Sequence, residues 1–240
     1  MKKYLLLVAV LCCSLMVGCA ARSGGVDREE GKDAEFYKKI GISFMSEGRN
    51  QLAFVEFQKA LKLQPNDADT LYYIGLVYMS FDEVDNAITH FSRAVALRVD
   101  FSEAANSLGE AYLRAKKYNE AVSAFQKALA NRFYKTPEHA MNNLGTAYYR
   151  LGKLDDALAS YKMALRRNPS FIAPYLGIAL ANNKAGQFGE ASDALGLFID
   201  IDPTLKGDRE KMEESIRMRL VAASGDEEQD LRDLLEILKY

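Results

Sequence analysis

Side chains able to do chemistry are few in this 240-residue chain, and they are unevenly placed. The three cysteines, Cys12, Cys13 and Cys19, all fall in the first twenty residues. No thiol remains further along for a disulfide, a nucleophile or a cysteine metal site. His90 stands next to Phe91 and reads as a helix-surface imidazole; His139 is the only other histidine. The carboxylate pairs Asp155–Asp156 and Glu213–Glu214 have the residue types of general acid–base chemistry. Their helical, polar settings make them solvated faces instead. Nothing resembles H-E-x-x-H, a P-loop or G-x-S-x-G. No catalytic residue, metal ligand or cofactor is assigned, and no enzymatic activity or small-molecule substrate is expected. A net charge of −2 lacks the basic footprint of a nucleic-acid binder.

The chemistry left is acylation. Lys2 and Lys3 precede the apolar run "YLLLVAVLCCSLMV", which is too short to favour a membrane span and suits a signal-peptide core. The run ends in "MVGCA", and small residues before a cysteine resemble a bacterial lipobox. Residues 1–18 then form a lipoprotein signal peptide and Cys19 is the lipid attachment site. An ordinary secretory signal with an incidental cysteine is the other reading. Several acyl chains on one cysteine give a stable anchor, since a single chain binds only marginally. Ala20 after the cysteine, rather than Asp, resembles an outer-membrane address, with the folded part facing the periplasm. Residues 19–33 are Gly-rich and charged, and form a flexible tether with a reach of about 20 Å.

Behind the tether the chain repeats. Ile40-Gly41, Ile74-Gly75, Leu108-Gly109 and Leu144-Gly145 recur at intervals of 34, 34 and 36 residues. Counted from Ala34, positions 4, 7, 8, 11, 20, 24, 27 and 32 hold Tyr37, Ile40, Gly41, Phe44, Ala53, Phe57, Ala60 and Pro65. The next three units keep this pattern of aromatic and small residues, the fourth displaced by two. A divergent fifth starts near Ile172 and keeps Tyr175, Ile178, Ala191 and Pro203. This pattern resembles the tetratricopeptide repeat. It implies an all-α solenoid of helix pairs over residues 34–205, in which neighbouring units bury one another's faces. Residues 206–240 carry two further helical stretches around Gly225, with Asp226 and Gln229 in capping-box spacing. They read as a polar-faced cap or a worn sixth repeat.

In this repeat family, first-helix positions 2, 5, 9, 12 and 13 line a concave groove. Here the groove of the first two units is apolar, with Ile42, Met45, Tyr72, Leu76 and Met79. Such a concavity calls for a partner segment with apolar anchors; an N-terminal segment or self-association could also cover it. Asn106 and Asn142, at successive position-5 sites, are placed to hold a partner's backbone, beside Leu113 and Tyr149. The dicarboxylate clamp of some relatives is not expected, since Ile42 stands where Asn is needed.

The long third interval is spelled "NRFYKTPEHA". Phe133 takes the place of the terminating proline, Pro137 falls just inside the next helix, and the turn is expected to display Phe133 and Tyr134. Tyr134, Thr136, Pro137 and Glu138, followed by Asn143 and Gly145, resemble the type IV pilus biogenesis lipoproteins called pilotins. The resemblance implies a non-enzymatic, outer-membrane-anchored scaffold that helps secretin subunits localise and assemble. A lipoprotein scaffold for peptidoglycan remodelling or outer-membrane protein assembly shares the same parts.

Overall fold

The computed structural model describes residues 33–240. The expected signal peptide, Cys19 and nearly all of the tether lie outside the described residues. Twelve α-helices follow among the described residues: α1 (Ala34–Ser46), α2 (Asn50–Leu63), α3 (Ala68–Ser80), α4 (Val84–Leu97), α5 (Ser102–Arg114), α6 (Tyr118–Ala130), α7 (Pro137–Arg150), α8 (Leu154–Arg167), α9 (Ala173–Lys184), α10 (Phe188–Ile201), α11 (Arg209–Leu220) and α12 (Gly225–Ile237). None is long and apolar enough to cross a membrane.

Local sequence starts and stops these helices. Asp33, Asp67 and Asp208 cap α1, α3 and α11, each carboxylate accepting a backbone N–H three residues on. Pro137 opens α7, where its missing N–H costs nothing. Within each pair the turn passes through a left-handed residue: Gly48, Asp82, Lys116, Gly152 and Gly186. The repeat period thus reaches the backbone dihedrals. Two of the five positions carry side chains there, at φ 59° for Asp82 and 56° for Lys116.

Helices α1 to α10 form five antiparallel pairs, each stacked on the next. The small residues let them approach. Each first-helix glycine lies on the ring of a second-helix aromatic: Gly41 on Phe57, Gly75 on Phe91, Gly109 on Phe125 and Gly145 on Tyr161. The alanines at positions 20 and 27 of the first four repeats are fully buried. The fifth pair keeps this packing with Ala179, Ala191 and Leu195 in the core.

The last two helices do not extend the stack. α12 folds back against α9 and α10, burying Leu231, Leu234 and Ile237. Met212 and Ile216 of α11 join the same cluster. The expected capping box does not form. Asp226 instead accepts a hydrogen bond from the Tyr118 hydroxyl at 2.6 Å, and Gln229 donates to Asp233. Gly225 is the first residue of α12 rather than a break after α11.

Candidate partner-binding groove

The first helices α1, α3, α5, α7 and α9 carry the groove positions, and the structure divides them into three stretches. Over repeats one and two, Ile42, Met45, Tyr72, Leu76 and Met79 are half-buried. Ile42 and Met45 rest on the cluster containing Phe57, Ile74 and Val77. Tyr72, Leu76 and Met79 rest on the next, around Phe91 and Phe101. Tyr72 is wedged between Phe91 and Phe101, with ring centroids 5.9 and 5.0 Å away. Burial raises the pKa of its hydroxyl. These side chains thus serve two roles: their bases fill the core and their outer faces line the groove.

Repeat three forms a polar node. Asn106 and Asn143 both donate to the Glu110 carboxylate, at 2.9 and 2.8 Å. Asn106 is 8% exposed, so its amide is committed within the fold. Of the two amides expected to hold a partner's backbone, Asn142 flanks this node and donates to the Asn143 side-chain oxygen at 3.5 Å. Glu110 is what recruits the two amides: a half-buried carboxylate needs donors, and these are nearest. Leu113 lies beside the node, half-buried against the cluster of Phe125 and Leu144.

Over repeats four and five the groove is filled by the chain itself. α12 and Tyr240 beyond it meet the turn after α5 with the start of α6, the end of α7 and the start of α10. Asp226 meets Lys116 at 3.8 Å and Tyr118; Asp230 meets Tyr149 and Arg150; Tyr240 packs on Phe188 at 5.1 Å. Tyr149, expected to face a partner, is 4% exposed and sits in one cluster with Leu180, Leu231 and Leu234. Its hydroxyl is held neutral by burial and by the neighbouring Asp230 charge, which together raise its pKa. Burial pushes the Tyr118 pKa up to about 12, helped by the Asp226 carboxylate it donates to. The Asp226 pKa is lowered, chiefly by that same bond.

The long third turn is half as expected. Phe133 is 91% exposed, whereas Tyr134 is 6% exposed and packs with Phe101, Ala128 and Ala140. Asn131 sets the difference: its side-chain oxygen accepts from Phe133 N and its carbonyl from Tyr134 N, which turns one ring out and the other in. Of the histidines, His139 packs at a tilt against Phe171 and His90 lies against Tyr78.

Sequence models of the tetratricopeptide repeat match residues 41–80, 100–170 and 142–204. No curated protein matches the chain. Among solved structures, the MamA protein is 28% identical, covering 70% of this chain and 91% of its own, with a TM-score of 0.63. PilW, described as a widely conserved type IV pilus biogenesis factor, is 22% identical over 84% of this chain and 98% of its own, TM-score 0.63. The pilF protein of Pseudomonas aeruginosa is 20% identical over 85% and 88%, TM-score 0.65. At these identities the PilW and pilF likenesses speak to the fold alone. Matched in sequence over most of its repeats and in fold over its five helix pairs, the chain is a tetratricopeptide-repeat solenoid.

Proposed function

We propose that this solenoid is an outer-membrane lipoprotein, anchored through Cys19 and facing the periplasm, that helps assemble the secretin of the type IV pilus. The fold is that of a protein-interaction scaffold, and the open groove of repeats one and two is the surface offered to the partner. Its half-buried Ile42, Met45, Tyr72, Leu76 and Met79 suit the apolar side of a secretin segment.

The observation that carries the pilus reading is the lengthened turn at Phe133–Pro137, whose Tyr-x-Thr-Pro-Glu spelling resembles the pilotins. The solved structures support the scaffold fold and do not favour one machine over another, MamA, PilW and pilF all lying at TM-scores of 0.63 to 0.65.

Deleting the gene should abolish detergent-resistant secretin multimers while secretin monomer is still made. Normal multimers would overturn the pilus reading and leave a scaffold for another envelope machine. Cys19→Ala should release the protein from outer-membrane fractions; unchanged fractionation removes the anchor from the proposal.

A further inference from the structure

The first helices of repeats three to five carry a charge that those of repeats one and two lack. Position 13 holds Arg114, Arg150 and Lys184 in three successive repeats, where the first two have Ser46 and Ser80. Arg114 and Lys184 are exposed, so core packing does not demand them. α12 is the acidic counterpart of this row. Asp226 meets Lys116 at 3.8 Å and Arg150 at 3.9 Å, and Asp230 accepts both terminal nitrogens of Arg150. The same helix sets Leu231, Leu234 and Ile237 in one cluster with Tyr149 and Leu180 of the groove.

The acids of these first helices leave the row cationic. Asp82 and Glu110 are engaged, the first with Arg114 at 3.4 Å and the second by the two amides of the node. Glu103 and Glu138 open α5 and α7, a helix length from the cations that close them, and α9 has no carboxylate. Among the described residues Lys116 and Arg150 form ion pairs only with Asp226 and Asp230, and Lys184 forms none. This half of the groove therefore takes a helix with an acidic edge and an Asp-Leu-x-x-Leu-x-x-Ile stripe. α12 does not use all that the groove offers. Asn183 Oδ1, at groove position 12 of α9, is buried without a hydrogen bond. Lys184 is left with the Tyr149 ring, 4.8 Å away. A helix with a donor and a further carboxylate there would make bonds that α12 does not. Nor do the repeats depend on α12 for their stacking: the five pairs contact one another directly, and α11 packs chiefly on α12.

We propose that the groove of repeats four and five is a second docking surface, taking an acidic amphipathic helix of a partner protein, and that α12 is the chain's own occupant, which such a helix displaces. The proposal goes beyond the pilus reading and does not depend on it. Tethered through α11, α12 competes at an effective concentration on the order of millimolar, so only a helix of matching charge and better fit enters.

A fluorescein-labelled peptide of residues 224–240 is the probe, read by anisotropy. Full-length chain carrying Leu231→Glu and Leu234→Glu should bind it at least about tenfold more tightly than the unaltered chain, because its own α12 no longer competes. Asp226→Ala with Asp230→Ala, which spares the leucines, should act in the same direction and serves where the leucine variant loses its fold. Hydrogen exchange at Phe57 and Phe91 reports whether the stack is intact. Arg150→Glu in the released chain should abolish binding, and a peptide carrying Asp230→Arg should restore it. Absence of binding to both released chains, with the stack intact, makes α12 a fixed cap and overturns the proposal. Equal binding to released and unaltered chains overturns it too, as does equal binding of a peptide carrying Asp226→Asn and Asp230→Asn. Concentration-dependent dimers of the unaltered chain in sedimentation would give the groove to the α12 of a second copy and likewise overturn it.

Discussion

Asp230 of α12 accepts both terminal nitrogens of the Arg150 guanidinium at the end of α7, with Nη1 to Oδ1 at 2.8 Å. Both side chains are under one-fifth exposed. Burial disfavours the Arg150 charge, yet the bond and the charge of Asp230 outweigh it and raise its pKa. Eighty residues of chain are closed by this one contact. Asp230→Ala leaves the guanidinium half-buried with only the longer Asp226 contact at 3.9 Å, at a cost of about 1–3 kcal/mol. Because α12 is terminal, the loss should appear as local opening. Hydrogen exchange should lose protection at Leu231 and Leu234 while Phe57 and Phe91 keep theirs. Unchanged protection in α12 would show that its leucines alone hold it down.

The same helix end should make docking depend on pH at both extremes. Asp226 has a folded pKa below its ordinary 3.8, so its contribution is complete above that value and disappears as pH falls through the folded one. Tyr118 moves the other way, from 10 to about 12. Its contribution is complete below pH 10 and is lost as pH rises through about 12. Protection of α12 should therefore be level between pH ~4 and ~10 and decline outside that window. Tyr118→Phe removes the shared hydrogen bond. It should flatten the acid-side decline by returning Asp226 toward 3.8, and delete one late-titrating phenol from the alkaline absorbance curve. Loss of a phenol titrating near the ordinary 10 instead would place the Tyr118 hydroxyl away from Asp226.

Glycines at the helix crossings and glycines on the surface should respond oppositely to one added methyl. A Cβ at Gly109 would lie 2.4 Å from Phe125 Cε1, and that ring is fully buried. Gly109→Ala should cost roughly 1–3 kcal/mol through overpacking. At Gly189, inside α10, an added Cβ meets nothing within 4 Å. Gly189→Ala should stabilise by about 0.5–1 kcal/mol from helix propensity alone. Chemical denaturation of the two variants checks the pair, and equal effects would refute the close-approach account of the repeat glycine.

Asp82 holds a left-handed dihedral that Gly48, Gly152 and Gly186 hold without strain at the equivalent turns. Its carboxylate is highly exposed and reaches Arg114 only at 3.4 Å, so little is lost with it. Asp82→Gly should raise stability by about 0.5–1 kcal/mol, the relief of the left-handed cost less the added freedom of the unfolded chain. A lower denaturation midpoint would mean that the Arg114 contact matters more than the strain.

The solenoid was legible because its cause is local and recurrent. Gly41, Ala53, Phe57 and Ala60 meet the same demands as Gly75, Ala87, Phe91 and Ala94, and a demand met four times leaves a period. The return of α12 leaves none. Tyr118–Asp226 and Arg150–Asp230 join residues 108 and 80 apart, once each. The one trace was composition: Leu231, Leu234 and Ile237 form an apolar stripe, and Leu176 and Leu180 stood apolar in the groove opposite. Tyr134 was misread for a related reason. An insertion of two residues changes which way each side chain points, and only the Asn131 hydrogen bonds settle it. The Asn143–Glu110–Asn106 node was hidden because Asn143 is at position 6 of the fourth repeat, which is not among the groove positions.

If the open groove of repeats one and two is where a partner docks, it should be separable from the filled half. Met79 is half-buried, with its outer side on the groove, so Met79→Glu can turn its carboxylate to water with a modest loss of stability. Loss of one apolar anchor at the centre of an interface is worth ~2 kcal/mol, a roughly 30-fold fall in affinity. Binding of the purified periplasmic part of the secretin, measured by titration, should fall by that factor. Leu180→Glu is the opposite control. That residue is buried under α12, so the change should free α12 yet leave partner affinity within a few-fold. Should Leu180→Glu weaken binding as much as Met79→Glu, the partner's footprint must include α12. The filled half of the groove would then be part of the interface rather than closed to it.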